Sequence, residues 1–281
     1  MKRIKSFDNS HPLLYLIATP IGNLGEFSSR AINIVEEMDI IATEDTRNSG
    51  DLLTKFNIKK PLVSLREHNE IEASKNLIEQ IKSGKKVAYM SDAGYPGISD
   101  PGYILVKLAL ENDIAVSTIS GSSAFLNALV RSGLDTSHFY FHGFLSPKDN
   151  EMKQELEGLK DKPETLIFYE SPHRIKRTIQ NLFDALGNRK ASLQRELTKI
   201  NEENIIGTLE EFTNLDESTL KGEMVIVVEG NTKSEEAISE EKLLELIKLF
   251  LDKNVSKKDA IEIISCAFNI RKNYLKDLIN K

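Results

Sequence analysis

The chain has 281 residues, of which 40% are hydrophobic and 28% are charged, and its formal net charge is −6. These fractions exclude an intrinsically disordered chain, and the length suits two globular domains. No apolar run reaches the roughly 18–20 residues that span a bilayer. Residues 1–11 are polar and lack the apolar core of a signal peptide, so we expect a flexible tail on a cytoplasmic protein without a membrane partner.

A single cysteine, Cys266, excludes an intrachain disulfide and a metal cluster built from cysteines. The acidic net charge weighs mildly against a nucleic-acid partner, because proteins that hold phosphates usually present a basic face. Net charge is a sum over the whole surface, however, and it does not describe local patches. A nucleic-acid partner is therefore disfavoured but not excluded.

Short apolar runs alternate with amphipathic segments over residues 12–119. Strands are predicted at 13–18, 39–43, 62–65, 86–90 and 114–119, and helices at about 29–37, 50–56, 71–82 and 103–111. This alternation is typical of an α/β domain with a mainly parallel sheet.

The pattern starts again after Gly121 and predicts a second α/β domain over residues 120–230. Its strands are predicted at 139–143, 165–169, 190–196, near Gly207 and at 224–228, and its helices at 122–132, 151–159 and 172–186. A polar, linker-like stretch at 231–240 precedes three short amphipathic helices, which form a C-terminal segment over 231–281. A helix-turn-helix and a small structural cap are both compatible with that segment.

The loops that follow the strands hold the candidate chemistry, because parallel α/β sheets bind ligands at the carboxyl ends of their strands. Residues 19–25 contain Gly22 and Gly25 but match neither the dinucleotide fingerprint nor a P-loop. Residues 91–102 contain three glycines, two prolines and two aspartates, which indicates a rigid loop with accessible backbone groups. A ligand cradle and a well-built turn both fit this loop, and Ser99 or Asp100 is predicted to cap the next helix.

Charged residues follow other strands. Glu44, Asp45 and Arg47 form one such group, and Glu196 and Lys199 form another. Further polar residues follow two more strands, His68 with Asn69 and the segment 169–174. A helix cap and an ion pair are enough to explain each group taken alone, without a catalytic or binding role. Together they predict a cleft that the two domains share.

These motifs occur in an order that resembles a known family. The series comprises Ala-Thr-Pro-Ile-Gly-Asn-Leu (18–24), Glu-Asp-Thr-Arg (44–47), His-Asn-Glu (68–70), Ser-Asp-Ala-Gly (91–94), Pro-Gly-Ile-Ser-Asp-Pro-Gly (96–102), Phe-Tyr-Glu-Ser-Pro-His-Arg (168–174), Arg-Glu-Leu-Thr-Lys (195–199) and Lys-Gly-Glu (221–223). It closely resembles the ribosomal RNA small subunit methyltransferase I family, which belongs to the tetrapyrrole methylase superfamily. The match runs from about residue 13 to 230, with weaker support in the helical tail.

The resemblance implies two α/β domains of tetrapyrrole methylase type with S-adenosylmethionine in the cleft between them. It also implies a homodimer that methylates a cytidine 2′-hydroxyl in the decoding region of 16S rRNA, within the small ribosomal subunit. The donor-binding residues that it implies are Asp92, Ala93, Gly94, Gly97, Ile98, Ser99, Gly121, Ser122, Ser123, Ala124 and Tyr169.

Three positions depart from the family pattern. Tyr95 stands where threonine is usual, and residues 120–124 read Ser-Gly-Ser-Ser-Ala instead of Pro-Gly-Pro-Ser-Ala. The loss of two prolines is expected to loosen that loop. A basic Arg-Lys pair is absent at 146–149, which read Ser-Pro-Lys-Asp, and this weakens one candidate RNA contact.

Methyl transfer to a ribose hydroxyl requires alignment of the reactants and a base or cation near the acceptor oxygen. We expect that group among Glu44, Asp45, Arg47, Glu196 and Lys199, and the sequence does not choose among them. No metal-ligand cluster is visible, and displacement chemistry needs none. Two alternatives stay open, namely a methylase of the same fold that acts on a tetrapyrrole-like small molecule, and a non-catalytic RNA-binding module for ribosome assembly.

A basic surface is required if an acidic protein is to hold RNA. The candidates are Arg47, Arg66, His173, Arg174, Lys176 and Arg177, with Lys257, Lys258, Arg271 and Lys272 from the tail. Arg174 and Arg177 lie three apart and are predicted to share a helix face.

Overall fold

The computed structural model describes residues 3, 5, 12–231, 240–268 and 270–279. The chain divides into two compact units, Met1–Gly230 and Asn231–Lys281. Within the described residues, no helix combines the length and the apolar character needed to cross a membrane. Most of the predicted tail at 1–11 and most of the linker-like stretch at 231–240 lie outside the described residues.

The first unit begins with an N-terminal lobe built on a five-stranded sheet. Its elements are β1 (Leu13–Ile17), α1 (Ser29–Glu37), β2 (Ile40–Thr43), α2 (Thr46–Lys55), β3 (Leu62–Ser64), α3 (Glu70–Lys82), β4 (Val87–Met90), α4 (Tyr103–Glu111) and β5 (Ala115–Ile119). The strand order is β3-β2-β4-β1-β5, and every neighbouring pair is parallel. The predicted parallel sheet is therefore confirmed.

Helices cover both faces of this sheet, which explains why its strands read as nearly continuous apolar runs. Tyr89 of β4 packs with residues of α3 and α4, whereas its neighbours Ala88 and Met90 pack with residues of α1 and α2. β1 and β4 lie side by side at the centre of the sheet, where the chain crosses over. The carboxyl ends of such strands form the crevice in which open α/β sheets bind ligands.

A second five-stranded sheet forms the C-terminal lobe of the same unit. Its elements are α5 (Ala124–Arg131), β6 (Phe139–Phe144), α6 (Asp149–Glu157), β7 (Thr165–Glu170), α7 (Ile175–Leu186), β8 (Lys190–Arg195), β9 (Glu203–Thr208), α8 (Leu209–Thr213) and β10 (Met224–Val228). The strand order is β6-β7-β10-β8-β9. Only β6 and β7 pair in parallel, and the other three pairs are antiparallel.

This mixed topology decides which loops meet. Because β10 runs against both β7 and β8, its start lies at the same sheet edge as the ends of those two strands. Residues after Tyr169, after Arg195 and before Met224 therefore share one edge. Ile21 of the N-terminal lobe packs into the apolar cluster of this sheet, with Val225 and Leu197.

The described residues of the second unit form three helices, α9 (Glu240–Asp252), α10 (Lys257–Phe268) and α11 (Lys272–Ile279). Their buried residues form one small apolar cluster that includes Leu243, Ile247, Ile264 and Leu275. The predicted helical C-terminal segment is therefore confirmed.

The predicted strands and helices are present in the described structure, and where their observed boundaries differ from the predicted ones the causes are local contacts. α2 begins at Thr46 instead of Gly50, because the Asp45 side chain caps it by accepting the Arg47 amide. The prediction that Ser99 or Asp100 caps α4 is wrong. Gly102 occupies that position, and Glu70 accepts the first amides of the helix from a distant part of the chain. The proposed domain boundary between 119 and 120 stays a prediction.

Candidate functional site

A cavity of about 300 Å³ lies between the two lobes of the first unit. Its walls come from the loops after β1, β4, β5, β7 and β8, from the end of β6 and from the start of β10. The lining residues are Ile21, Ala93, Gly94, Tyr95, Ile98, Ser99, Asp100, Ser123, Ala124, Phe125, Phe144, Tyr169, Glu170, Ser171, Pro172, Leu197, Glu223, Met224 and Val225. The size and the mixed apolar and polar lining suit a small organic ligand.

The glycine-rich loop after β4 is anchored to the loop after β1. Thr19 and Gly94 exchange two backbone hydrogen bonds of 2.9 and 3.1 Å, and the Ser91 hydroxyl donates to the Gly94 carbonyl at 2.9 Å. Gly94 has a φ of +76° and Gly97 a φ of +80°, a region that side-chain-bearing residues rarely adopt. The sequence of the loop therefore permits a backbone path that places its carbonyls and amides at the cavity.

Glu70 holds the far end of the same loop. Its Oε1 accepts the amides of Gly102 at 2.8 Å and Ile104 at 3.0 Å, so it satisfies two of the donors that the first turn of α4 leaves unpaired. Tyr89 assists from the centre of the sheet, where its hydroxyl donates to the Pro101 carbonyl at 2.8 Å. Glu70, the last residue of the His-Asn-Glu motif, thus supports the loop, and none of the three motif residues lines the cavity.

The loop after β5 packs closely on the N-terminal lobe despite its two missing prolines. The Gly121 amide donates to the Tyr95 hydroxyl at 3.3 Å, and a Cβ at Gly121 would lie 2.9 Å from the Cβ of Ala18. The Ser122 hydroxyl hydrogen-bonds to Glu26. Two positions that depart from the family pattern are therefore in contact, since the Tyr95 hydroxyl accepts a hydrogen bond from the loop that lacks the two prolines.

Ser123 contributes a polar group to the cavity at the start of α5. Its side chain is buried and lines the cavity, yet its hydroxyl has no hydrogen-bond partner among the described residues. A buried hydroxyl without a partner carries a desolvation cost that a bound ligand can remove. This atom indicates a polar contact of the ligand with the loop after β5.

Aromatic rings form the wall opposite the glycine-rich loop. Tyr169 packs edge-on against Phe141 and Phe144 with ring centroids 5.0 and 5.5 Å apart, and its hydroxyl accepts the Phe125 amide at 3.3 Å. Burial raises the pKa of Tyr169 to about 12, so its hydroxyl stays protonated at neutral pH. Phe144 lines the cavity although half of its surface is exposed.

Asp100 is a carboxyl group in the cavity wall that the sequence analysis assigned only to a helix cap. Burial, followed by the negative charges of Glu44 and Asp92, raises its pKa to about 7. Its protonation is thus balanced near neutral pH. A cationic ligand in the cavity would favour the ionised form.

The first predicted catalytic group forms the Asp45 cluster, which comprises Glu44, Asp45, Arg47, Arg66 and Asp92. Asp45 accepts from Arg47 at 3.0 Å and from Arg66 at 3.4 Å, and these partners hold its pKa well below its usual range. Arg47 leaves 85% of its side chain exposed. Asp92 accepts the Asp45 amide at 3.1 Å, which connects the cluster to the glycine-rich loop. The cap and ion pair that the sequence allowed are both present.

Within this cluster, the Glu44 carboxyl group differs from that of Asp45 in the direction of its pKa shift. Burial, together with the nearby charges of Asp92 and Asp45, raises the pKa of its carboxyl group against the opposing effect of Arg66. The Arg66 Nε donates to the Glu44 backbone carbonyl at 2.9 Å. Asp45 and its two arginines therefore form an ordered, ion-paired rim, and the Glu44 carboxyl group binds a proton more readily than that of Asp45.

The second predicted group forms the Lys199 cluster, which comprises Glu196, Lys199 and Glu223. Lys199 Nζ lies 3.0 Å from Glu196 and 3.2 Å from Glu223, and Glu223 lines the cavity. Burial lowers the pKa of Lys199, but the bonds and charges of the two glutamates outweigh it and raise the pKa overall. Lys199 is therefore a cation at neutral pH and cannot serve as a base.

Lys199 also spans the two lobes. Its side chain lies across Gly22 of the loop after β1, where an added Cβ would lie only 2.5 Å from Lys199 Cγ. The backbone that places it is unusual, since Glu196 has a φ of +51° and Thr198 a φ of +68°. Strained backbone of this kind is concentrated at functional sites.

The cavity gathers most of the donor-binding residues that the sequence predicted. Ala93, Gly94, Ile98, Ser99, Ser123, Ala124 and Tyr169 line it, whereas Asp92, Gly97, Gly121 and Ser122 belong to the same loops but do not. None of the five predicted catalytic residues, Glu44, Asp45, Arg47, Glu196 and Lys199, lines it. Residues that line the cavity without having been predicted to do so include Phe144, Leu197, Glu223 and Asp100. Glu223 carried a signal, because it belongs to the Lys-Gly-Glu motif.

Two arginines of the predicted RNA surface are engaged within the lobe. Arg174 donates to the Leu145 carbonyl at 2.8 Å, and Arg177 donates to the Pro147 carbonyl at 2.9 Å. They brace the loop after β6, so their primary contacts are structural. Over the described part of the chain, no three His, Cys, Asp or Glu side chains converge as a metal site would require.

The fold and the cavity define a class of protein. A family model described as Tetrapyrrole (Corrin/Porphyrin) Methylases matches residues 13–213, and the chain belongs to this family. Its fold class is therefore the predicted one, with two α/β lobes followed by a helical segment.

Curated relatives narrow the comparison to the predicted subfamily. A protein named ribosomal RNA small subunit methyltransferase I, from Halalkalibacterium halodurans, is 50% identical over 219 residues, which cover 78% of this chain and 76% of the relative. The protein of the same name from Bacillus subtilis is 40% identical over 286 aligned residues, which cover 99% and 98% of the two chains. The resemblance seen in the motifs is confirmed.

Solved structures support the fold alone. Diphthine synthase aligns with a TM-score of 0.59 at 17% identity, covering 77% of this chain and 89% of that one. The methyltransferase CobJ aligns with a TM-score of 0.58 at 15% identity, covering 79% and 95%.

Proposed function

We propose that this chain transfers a methyl group from S-adenosylmethionine to small-subunit ribosomal RNA, at the 2′-hydroxyl of a cytidine in the decoding region of 16S rRNA. The observation that carries the proposal is the similarity, over nearly its whole length, to the Bacillus subtilis protein named for small-subunit rRNA methylation. The proposal extends to a cytoplasmic homodimer, which the resemblance implies.

The cavity fits the proposed donor. It offers an unpartnered buried hydroxyl at Ser123, an aromatic wall around Tyr169 and a carboxyl group at Asp100 that ionises near neutral pH. These groups match a ligand with a polar end, a planar base and a positive sulfonium. When bound, the donor supplies an electrophilic methyl group on a sulfur that leaves as a neutral thioether.

The residues around the cavity would position and polarise the acceptor. Glu223 and Leu197 lie at the edge of the cavity nearest to Lys199. A protonated Lys199 there can stabilise the negative charge that develops on an acceptor oxygen as its proton is lost. Asp45 is a poor proton acceptor because its pKa is held so low, and its contacts suit it to ordering the rim.

Two measurements test the proposal. Isothermal titration calorimetry with purified protein should show binding of S-adenosylmethionine with one site per chain. Small ribosomal subunits purified from a strain that lacks the gene should accept labelled methyl groups, and mass spectrometry of RNA fragments should place them on the ribose of one cytidine. Methyl transfer to another nucleotide would correct the position, and donor binding without transfer to subunits would refute the proposed substrate.

The homodimer has a separate test. Light scattering coupled to size-exclusion chromatography should give about twice the chain mass of 31.6 kDa. A monomer at micromolar concentration that retains full methyl transfer would refute this part of the proposal only.

A further inference from the structure

A basic groove lies between α10 and α11 of the C-terminal unit. It has a volume of about 440 Å³. We call it the lysine groove, and its lining residues are Lys257, Lys258, Ile261, Glu262, Lys272 and Lys276. Ile261 is buried beneath it, whereas the four lysines are exposed. The groove therefore combines an apolar floor with a positively charged rim.

The positive charge of the groove is not balanced within it. Glu262 is its one lining carboxylate, and it pairs with Lys272 at 2.7 Å while both side chains remain about half exposed. Lys272, and after it Lys258, lower the pKa of Glu262, which shows that more than one lysine acts on the same carboxylate. Lys276 makes no ion pair with any described residue. Lys272 and Lys276 lie four residues apart on α11, a spacing at which like charges repel each other.

The fold of the unit rests mainly on the apolar cluster of its three helices, which is made by residues such as Leu243, Ile264 and Leu275. Lys272 joins α11 to Glu262 of α10, whereas Lys258 and Lys276 belong neither to that cluster nor to an ion pair among the described residues. Residues 231–281 contain ten basic and nine acidic residues, so the unit as a whole is nearly neutral and the basic rim is a local feature. The acidic residues Glu241 and Glu245 lie on α9, outside the groove.

We propose that the lysine groove binds the phosphate backbone of the substrate ribosomal RNA. This inference rests on the proposed function and names the surface that holds the substrate. Lysine ammonium groups are compact point charges without the planar fork of arginine, so they suit phosphate contact without base reading. The groove accordingly contributes affinity that depends on salt and not on sequence.

A pair of charge reversals tests the groove. The variant Lys258→Glu/Lys276→Glu changes the rim, and the matched control Lys248→Glu/Lys253→Glu makes the same charge change at exposed positions of α9 and the turn after it, outside the groove. The probe is an RNA hairpin of about 30 nucleotides, with binding followed by fluorescence anisotropy between 50 and 200 mM salt. Each lost phosphate contact lowers the slope of log affinity against log salt by about 0.7–0.9.

The groove variant should lose about 1.4–1.8 from that slope and about tenfold in affinity near 100 mM salt, whereas the control should stay within twofold of wild type. Donor binding by calorimetry and the circular dichroism spectrum should be unchanged in both variants, which excludes misfolding. Equal losses in both variants would overturn the groove, because only net charge would then matter. Wild-type affinity in the groove variant would overturn it as well.

The experiment also separates this inference from the proposed function. Wild-type protein that methylates small subunits while the groove variant binds RNA normally would refute the groove alone. Wild-type protein that neither binds the hairpin nor transfers methyl groups to small subunits would refute both.

Discussion

The two charged clusters beside the cavity are similar in composition but differ in how they are held. In the Asp45 cluster the cations lie outside, and the exposed Arg47 is bound to a carboxylate that caps its own helix. In the Lys199 cluster the cation lies inside, between two glutamates and across Gly22 of the other lobe. The first cluster orders the end of a strand, and the second joins the two lobes at the edge of the cavity.

The difference shows that charged side chains at the end of a strand do not by themselves indicate a catalytic role. A half-buried cation has already lost part of its hydration, so the Lys199 ammonium group can act strongly on an acceptor oxygen that takes the place of one of its glutamate partners. An exposed pair such as Arg47 with Asp45 contributes little, because water screens the attraction between the two charges. We therefore expect larger effects on methyl transfer from the Lys199 cluster.

Removal of the Lys199 ammonium group is expected to have the largest effect. Lys199→Ala should lower kcat for methyl transfer by about 100-fold, which is the usual cost of losing one preorganised group that stabilises an oxyanion. Donor affinity should change less than threefold, because Lys199 does not line the cavity. Single-turnover kinetics with small subunits and calorimetry with the donor measure the two quantities.

The control for this variant is Lys221→Ala, which removes an exposed lysine from the neighbouring Lys-Gly-Glu motif. It should leave kcat within twofold of wild type. If the Lys199→Ala and Lys221→Ala variants were equally active, Lys199 would take no part in methyl transfer and would serve only as a contact between the lobes.

The support behind the glycine-rich loop is expected to give the next largest effect. Glu70→Ala leaves the amides of Gly102 and Ile104 without their acceptor, which should cost about 1–2 kcal/mol of stability, as for the loss of a helix cap. The loop would lose its far anchor, and donor Kd should rise about tenfold. Calorimetry and thermal unfolding measure these effects.

Glu70→Gln keeps an oxygen acceptor and is expected to recover most of the donor affinity. A neighbouring substitution, Glu72→Ala, removes an exposed carboxylate from the same helix and should change neither quantity. Wild-type donor binding in Glu70→Ala would show that the loop holds its shape without this cap.

The strands and helices could be predicted from the periodicity of hydrophobic residues, but the contacts between residues around the cavity could not. The predicted strands matched because each is a short apolar run, and Tyr103–Glu111 and Met224–Val228 were predicted at their observed boundaries. The cap of α4 was missed because Glu70 lies 32 residues before Gly102, and sequence proximity favours Ser99 or Asp100. Capping rules describe local contacts, whereas this one is tertiary.

The site was predictable where family motifs mark it and unpredictable where topology decides. Gly94 and Tyr169 came from motifs, and both line the cavity. Glu223 was missed as a lining residue because its place depends on β10 running antiparallel to β7 and β8, which no local pattern specifies. The charge of Lys199 likewise depends on two glutamates, one of them 24 residues away.

Asp100 gives a pH dependence of intermediate size. Its pKa of about 7 lies above its ordinary value of 3.8, so ionisation opposes folding, and its contribution to stability is lost as pH rises toward 7. The cationic donor favours the ionised form, so donor Kd should fall roughly tenfold between pH 6 and pH 8. Calorimetry across this range should also show proton release on binding near pH 6.

The variant Asp100→Asn removes the titrating group. Its donor Kd should be weak and nearly flat between pH 6 and pH 8, and its melting temperature should decline less over the same range than that of wild type. A wild-type donor Kd that does not change with pH would show that Asp100 does not face the positive charge of the donor.

The smallest effect is expected at the exposed end of the Asp45 cluster. Arg47→Ala removes a side chain that is 85% exposed, so the melting temperature should stay close to that of wild type. The Asp45 carboxylate keeps Arg66 at 3.4 Å and still caps α2 by accepting a backbone amide. Donor Kd should change less than twofold, and methyl transfer should fall no more than about threefold at low salt.

If Arg47 instead contacts RNA phosphate, the loss of activity would grow as salt is lowered below about 0.1 M, where surface charges are least screened. A loss as large as that of Lys199→Ala would reverse the comparison, because the exposed cluster would then have to hold the reacting ribose itself.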